Sequence, residues 1–234
     1  MQLFYCPEIK DGALWLNPEE SRHCAKVLRK QIGDEIDITD GKGTFYKGIL
    51  ESVDPKKCAF QLSERTSVSP ENYRIHLAIA PTKNTDRIEW FVEKCVEIGI
   101  DEITFLKTKH SERKVLKLDR VEKKAISAMK QSVRAFLPKI NELCALDDLF
   151  QNRHEDQLFV SHLENESTPH LQELATPSHS YLVIVGPEGG FANEELSMIS
   201  KKGIKAAKLG NYRLRTETAG VAACTILNAL NQLK

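Results

Sequence analysis

Near the C-terminus a strand predicted over 181–185 runs straight into Gly186-Pro187-Glu188-Gly189-Gly190 and then Phe191. Glycines at the C-terminal end of a strand let the backbone approach a ligand closely. Pro187 fixes one torsion and lowers the cost of ordering the loop. The charge of Glu188 is unsuited to a phosphate and suits a cap, a backbone-orienting contact or a cationic ligand; a tight turn with no ligand is the plain alternative. A second stretch, Leu209-Gly210-Asn211-Tyr212-Arg213-Leu214-Arg215-Thr216-Glu217-Thr218-Ala219, ends a short strand in glycine and leads into an apolar helix that Thr216 or Thr218 can cap. Arg213 and Arg215 stand beside that helix's N-terminus, where a cation gains nothing from the dipole. They therefore answer to something else, a phosphate or a carboxylate such as Glu217, unless they belong to a solvated loop. There is no GxGxxG after an early strand and no GxxxxGKS/T, which weighs against dinucleotide and P-loop sites.

The elements that must hold these loops form an alternating series. Strands are predicted at 74–80, 102–106, 158–161, 181–185 and 206–209, and helices at 85–98, 118–133, 192–202 and 218–230. Ile88, Phe91, Val92, Cys95 and Ile98 share one face of the first helix. Strands alternating with helices argue for a parallel sheet covered on both faces. Ahead of this lies a small, mostly β block. It has strands at 2–5, 13–16, 35–39, 44–53 and 57–62, a helix begun by Asn17-Pro18 and ended by Gly33, and a hairpin turn at Asp40-Gly41-Lys42-Gly43. The polar stretch 63–71 places the boundary near residue 70, giving domains 1–70 and 71–234.

The chain has 234 residues with 33 cations and 33 acids, so its formal charge is zero. Apolar types make up 41%, enough for one large or two modest cores and outside the disordered or fibrous classes. The zero conceals a strong division. Residues 105–140 carry eleven cations against three acids, a net of +8, and 141–180 carry eight acids against Arg153, a net of −7. Residues 201–215 add six cations and no acid. Such cationic segments are either solvated faces or a surface that neutralises nucleic-acid phosphates. The six cysteines are scattered with no CxxC pair, so buried thiols are expected rather than disulfides or a metal site. The N-terminus has no signal-like pattern and no run reaches membrane-spanning length, so a cytoplasmic location is expected.

The two loops, taken with other stretches, resemble the small-subunit ribosomal RNA uracil-N3-methyltransferase family, methyltransferase E, of the SPOUT class. The other stretches are Arg22-His23-Cys24-Ala25-Lys26-Val27-Leu28-Arg29; Lys83-Asn84-Thr85-Asp86-Arg87-Ile88-Glu89 followed by Lys94 and Glu97-Ile98-Gly99; Ser111-Glu112-Arg113; and Gln131-Ser132-Val133-Arg134 with Pro138. The resemblance covers essentially the whole chain. It implies an α/β fold: a PUA-like N-terminal β-barrel that binds RNA, then a parallel-sheet domain with a deep trefoil knot, an exception to general topology rules. It implies S-adenosylmethionine as cofactor, held by His162, Leu163, Gly186, Pro187, Glu188, Gly189, Gly190, Leu209, Gly210, Arg213, Leu214 and Thr216. It also implies a homodimer, to which the final helix with Val221, Ala222, Thr225 and Leu227 is suited. Ala192 stands where the family usually has a hydroxylated residue that caps the next helix; Asn193 can take over one position later.

The implied substrate is 16S ribosomal RNA, within the small subunit or a late assembly particle. Arg22, His23, Lys26, Arg29, Lys83, Arg87, Lys109, Arg113 and Arg134 are the candidates for holding it. Uridine N3 carries a proton, so the enzyme must orient the base and stabilise an imide anion. Arg215, or Arg213, suits the anion and Glu217 suits the proton, although Glu217 can equally be a structural carboxylate that holds an arginine. Two other readings stay open: a SPOUT enzyme with a different acceptor atom, and an RNA-binding protein without activity.

Overall fold

The computed structural model describes residues 2–162 and 167–232. They form two compact units, residues 1–70 with 126–137, and residues 71–125 with 138–234.

The first unit holds β1 (Leu3–Tyr5), α1 (Pro18–Arg22), β2 (Glu35–Thr39), β3 (Thr44–Ser52) and β4 (Ala59–Ser67). They form a sheet in the order β1-β2-β3-β4, with β1 parallel to β2 and the rest antiparallel. Phe4, Leu16, Ile38, Leu50 and Phe60 fill its core. Asn17 caps α1 as expected, its side chain accepting from the Glu20 amide at 2.9 Å. The helix does not run on to Gly33. Its turns widen into a π-helical segment, His23–Val27, and Arg29 takes a φ of 53°. The strand expected at 13–16 reduces to a bridge between Trp15 and Ala59, because the chain turns into α1 at once.

The hairpin at Asp40–Gly43 is present. The Asp40 carboxylate accepts from the Lys42 and Thr44 amides at 2.7 and 3.0 Å. Gly43 has a φ of 97°, and a Cβ there would lie 2.5 Å from the Phe136 ring. The Gly43 amide donates to Ala135 O and the Leu137 amide to Gly41 O, at 3.0 and 2.9 Å. The Lys130 ammonium sits 2.6 and 2.9 Å from the two oxygens of Glu20, which α1 buries. These contacts, distant in sequence, assign residues 126–137 to the first unit rather than to the block in which the linear pattern sets them.

The second unit contains β5 (Arg74–Ile79), α2 (Thr85–Ile98), β6 (Glu102–Leu106), α3 (Leu118–Gln131, counted with the first unit from Ile126 on), β7 (Lys139–Cys144), α4 (Leu146–Asn152), β8 (Gln157–Ser161), α5 (Leu171–Leu174), β9 (Ser180–Val185), α6 (Asn193–Lys201), β10 (Lys205–Ala207) and α7 (Thr216–Gln232). Its strands form the expected parallel sheet, in the order β10-β8-β9-β5-β6-β7. Central β9 buries Tyr181 to Val185 without a break, as a sheet covered on both faces requires. α2 and α7 pack tightly: a Cβ at Gly220 would lie 2.4 Å from the Phe91 ring.

Three short elements of this unit were not expected. β7 is an edge strand, half-buried, with no period-two pattern to mark it. α4 buries Leu146, Leu149 and Phe150, whose i, i+3, i+4 spacing is a readable signal. α5 is a single turn. All six cysteines are free, and burial pushes the Cys6 thiol up to about 11. Among the described residues no helix is long and apolar enough to cross a membrane.

Gly43→Ala combines a left-handed backbone with a clash against Phe136. It should lower stability by about 2 kcal/mol, read from urea unfolding; an unchanged midpoint would show that residues 135–137 do not dock on the hairpin.

Candidate functional site

β8, β9 and β10 end nearly level, since Ser161 pairs with both Val185 and Ala207. The segments leaving them border one cleft of about 600 Å³. The carboxyl ends of parallel strands are where open α/β sheets take their ligands. His162, Gly186, Pro187, Glu188, Gly190, Leu209, Gly210, Arg213, Leu214, Arg215 and Thr216 all line it. Leu163, and Glu164 of the same loop, lie outside the described residues. Ser161, Lys208, Tyr212, Phe191 and Ala219 line the cleft as well; only their place within or beside the motif stretches could have marked them.

The two motif loops lock each other. A Cβ on Gly186 would sit 2.8 Å from the Phe191 ring, so this glycine is needed first for the loop's own packing. Gly190 takes a φ of 73°. The Thr216 hydroxyl donates to the Gly186 carbonyl at 3.1 Å. α7 begins at Thr216 itself, so that hydroxyl ties the loop rather than capping the helix. Arg213 donates to the Glu188 carbonyl at 3.2 Å, a backbone partner rather than a phosphate or carboxylate. Asn193 does not cap α6. Instead the Glu195 side chain reaches back to the Ala192 amide at 2.8 Å.

Two residues of the motifs turn elsewhere. Gly189 does not line the cleft; a Cβ there would come within 3.3 Å of the His110 side chain. Glu217 is 6% exposed and shares a small cavity with Pro81, Thr82, Ile88 and Phe91, away from the cleft lining. Its Oε1 lies 3.6 Å from the Arg87 Nε, and its Oε2 has no hydrogen-bond partner among the described residues. The arginine that Glu217 meets is thus Arg87 rather than Arg213 or Arg215. Arg215 does line the cleft and is exposed.

The candidate nucleic-acid residues divide by unit. In the first, Arg22, Lys26 and Arg29 are exposed on α1 and the turns after it. His23 packs edge-on against Phe4 with ring centroids 6.2 Å apart, and Arg134 is half-buried. In the second unit every candidate has a partner. Lys83 pairs with Glu112 at 3.4 Å, Lys109 with Glu194 at 3.4 Å, and Arg87 with Glu217. Arg113 donates to the carbonyls of Thr82 and Lys83 and to the Thr85 hydroxyl. It braces a loop, which its place in a cationic run could not reveal. Lys107, Lys114 and Lys117 are exposed and form no ion pair among the described residues.

A second cleft, of about 520 Å³, lies over β5, β6 and β7 and holds none of the predicted residues. Several of its polar groups serve each other, although the buried Nε of Arg153 in its lining has no hydrogen-bond partner among the described residues. His76 sits 2.6 Å from Glu155 and 2.7 Å from Thr104, which also accepts from Asn141 at 2.8 Å. Burial, the largest single influence, would raise the Glu155 carboxyl; the hydrogen bond and proximity of His76, together with backbone hydrogen bonds at Glu155 and His154, outweigh it and hold the carboxyl below the usual carboxylate value.

The cleft at β8–β10 falls within residues 69–228, which match the family model for an RNA methyltransferase domain. Residues 16–63 match the model for an RNA methyltransferase PUA domain. The ribosomal RNA small subunit methyltransferase E of Buchnera aphidicola is 30% identical over 92% of this chain and 87% of its own. This chain belongs to the methyltransferase E family. A crystal structure from Porphyromonas gingivalis, designated a probable rRNA-methyltransferase, overlays with a TM-score of 0.92 at 36% identity, covering 99% of both chains. A Legionella pneumophila protein designated a methyltransferase, solved in complex with the bound cofactor SAM, overlays at 0.88 with 27% identity, covering 99% of this chain and 98% of its own. The expected family and α/β fold, with a PUA-like N-terminal domain ahead of a parallel sheet, are thereby established.

In a methyltransferase E chain built this way, Thr216→Val leaves the Gly186 carbonyl without its donor. It should cost about 1 kcal/mol in urea unfolding, and Thr216→Ser should restore it. Equal stability of all three proteins would mean that the bond does not form.

Proposed function

We propose that this chain transfers the methyl group of S-adenosylmethionine to N3 of a uridine in 16S ribosomal RNA, in the small subunit or a late assembly particle, and works in the cytoplasm as a homodimer. The cleft at the ends of β8, β9 and β10 carries the reading. The Legionella pneumophila methyltransferase, which shares the fold, binds SAM. The cleft's volume suits a small-molecule cofactor. Phe191, Leu209 and Leu214 offer apolar wall for a purine, and Glu188, Arg213 and Arg215 offer charge at the rim for an amino-acid end. Bound there, the cofactor supplies an activated methyl group on a sulfonium.

The protein's task is then the acceptor. The N3 lone pair becomes available only as its proton leaves, and the C–S bond breaks as the N–C bond forms. Arg215, exposed at the cleft, donates to a flanking carbonyl of the base and spreads the imide charge. With Glu217 turned toward Arg87, its part is to position that arginine and the start of α7, and the N3 proton leaves to water at the cleft mouth. The base edge must be unpaired or extruded to reach this site. Arg22, Lys26 and Arg29 hold phosphates, with His23 beside them and Arg134 in the same unit. Lys83 and Lys109 can exchange exposed carboxylate partners for phosphates at little cost, whereas Arg87 and Arg113 act by bracing the loops between them. Val221, Ala222 and Thr225 form the dimer face of α7. Leu227 is fully buried within its own chain and is not part of that face. The family resemblance also supports a trefoil-knotted second unit.

Mass analysis of 16S ribosomal RNA from a strain lacking the gene should show the loss of one base-methylated uridine. The wild-type gene should restore it, and Arg215→Ala should act about a hundredfold more slowly. Unchanged RNA, or loss of a ribose methyl, sinks the assignment. Glu217→Gln should keep its rate within about tenfold at saturating substrates, with melting temperature lowered. A fall of a hundredfold or more, in the range of a lost general base, would return Glu217 to the chemistry.

A further inference from the structure

The segment that follows β6 carries Lys107, Lys109, Arg113, Lys114 and Lys117 against the single acid Glu112. It is fastened to the glycine loop of the cleft at two points that neither motif contains. The Lys109 amide donates to Glu195 Oε1 at 2.8 Å, while the other oxygen of that carboxylate accepts from the Ala192 amide, also at 2.8 Å. Glu195 thus bridges the basic segment to the residue just before α6. Next along the chain, His110 Nδ1 lies 3.1 Å from the Gly190 carbonyl. A carbonyl can only accept, so Nδ1 carries the proton. Gly189 leaves little room over the His110 side chain, with 3.3 Å between a Cβ there and the His110 Cβ.

The turn at residues 108–113 is held on its other side too. Thr108 and Ser111 close it through three hydrogen bonds of 3.0, 2.8 and 3.1 Å, and Arg113 is tied to Thr82 and Thr85. A turn braced at both ends transmits a displacement instead of absorbing it.

We propose that His110 and Glu195 are positioning residues that fasten the cofactor loop to the basic segment 107–117, so that ribosomal RNA held by the segment and cofactor held by the loop strengthen each other's binding. The inference rests on the proposed function for both ligands. RNA that orders the segment removes part of the cost of ordering Gly189 and Gly190 for the cofactor, and the reciprocal holds by linkage.

The test uses the full chain, S-adenosylhomocysteine, which cannot react, and small ribosomal subunits from a strain lacking the gene. Wild-type protein should bind S-adenosylhomocysteine about fivefold more tightly with subunits present than without. His110→Ala should lose that enhancement while its melting temperature stays unchanged. His110→Asn, whose amide nitrogen can donate where Nδ1 does, should recover it, and Glu195→Gln, which cannot accept from both amides, should weaken it. An enhancement as large in His110→Ala as in wild type overturns the inference. So does wild type that binds both ligands with no enhancement. Wild type that fails to bind S-adenosylhomocysteine at all overturns the cofactor reading, and the inference with it.

Discussion

The hydrogen bond from the Thr216 hydroxyl to the Gly186 carbonyl joins the first residue of α7 to the residue that follows β9. β9 is buried from Tyr181 to its end at Val185, so its backbone must find partners as soon as it leaves the sheet. Gly186 does so in very little space. The Phe191 ring lies where a side chain would begin, and that ring in turn is part of the core shared with Leu182, Ile184 and Ile199. The loop is therefore held at Gly186, where it leaves β9, by packing within the chain itself. Preformed backbone of this kind lowers the ordering cost that a cofactor would otherwise meet. Much else in the second unit supports the same joint. Gly220 admits the Phe91 ring and lets α7 settle against α2, while Arg213 holds the far side of the loop through Glu188.

Charge follows a related logic. The formal total is zero, yet the cations and acids lie in separate runs of chain. Folding then pairs a number of them locally. Lys83, Lys109 and Lys47 take exposed carboxylate partners, and such pairs contribute little to stability and open readily. Lys130 with Glu20 and Arg87 with Glu217 differ, because in each a buried carboxylate would otherwise be left alone. Removing either cation should be felt as structure rather than as lost affinity for a polyanion. Arg113 belongs with them: its donors are spent on backbone and a hydroxyl. A cationic residue in a basic run is thus a poor guide to its job until its neighbours in space are known.

Much of the architecture was legible because it is written at short range. Ile88, Phe91, Val92 and Cys95 have helical spacing, and they are buried on α2. The glycine loop follows its strand directly, and the Arg213–Arg215 segment precedes its helix directly, so both could be located and their joint use inferred. The edge strand β7 was not legible, since a strand half-exposed on both faces carries no alternation. The extent of α1 was misjudged because the widened turns after Arg22 have no composition of their own.

The sequence by itself determined the parallel α/β class, the family resemblance and more than half of the residues along the β8–β10 cleft. Each of those depends on neighbours within about one element of chain. Only the tertiary structure decided which way a side chain turns and what it meets. Glu217 is adjacent to the cleft in sequence but faces Arg87, and Gly189 faces His110. Residues 126–137 belong with a hairpin some ninety positions earlier. The physical reason is common to all three. A helix turns its successive side chains by roughly 100°, and a loop crosses from one partner to another within a residue. Adjacency along the chain therefore fixes a neighbourhood, while packing against distant segments selects the contact.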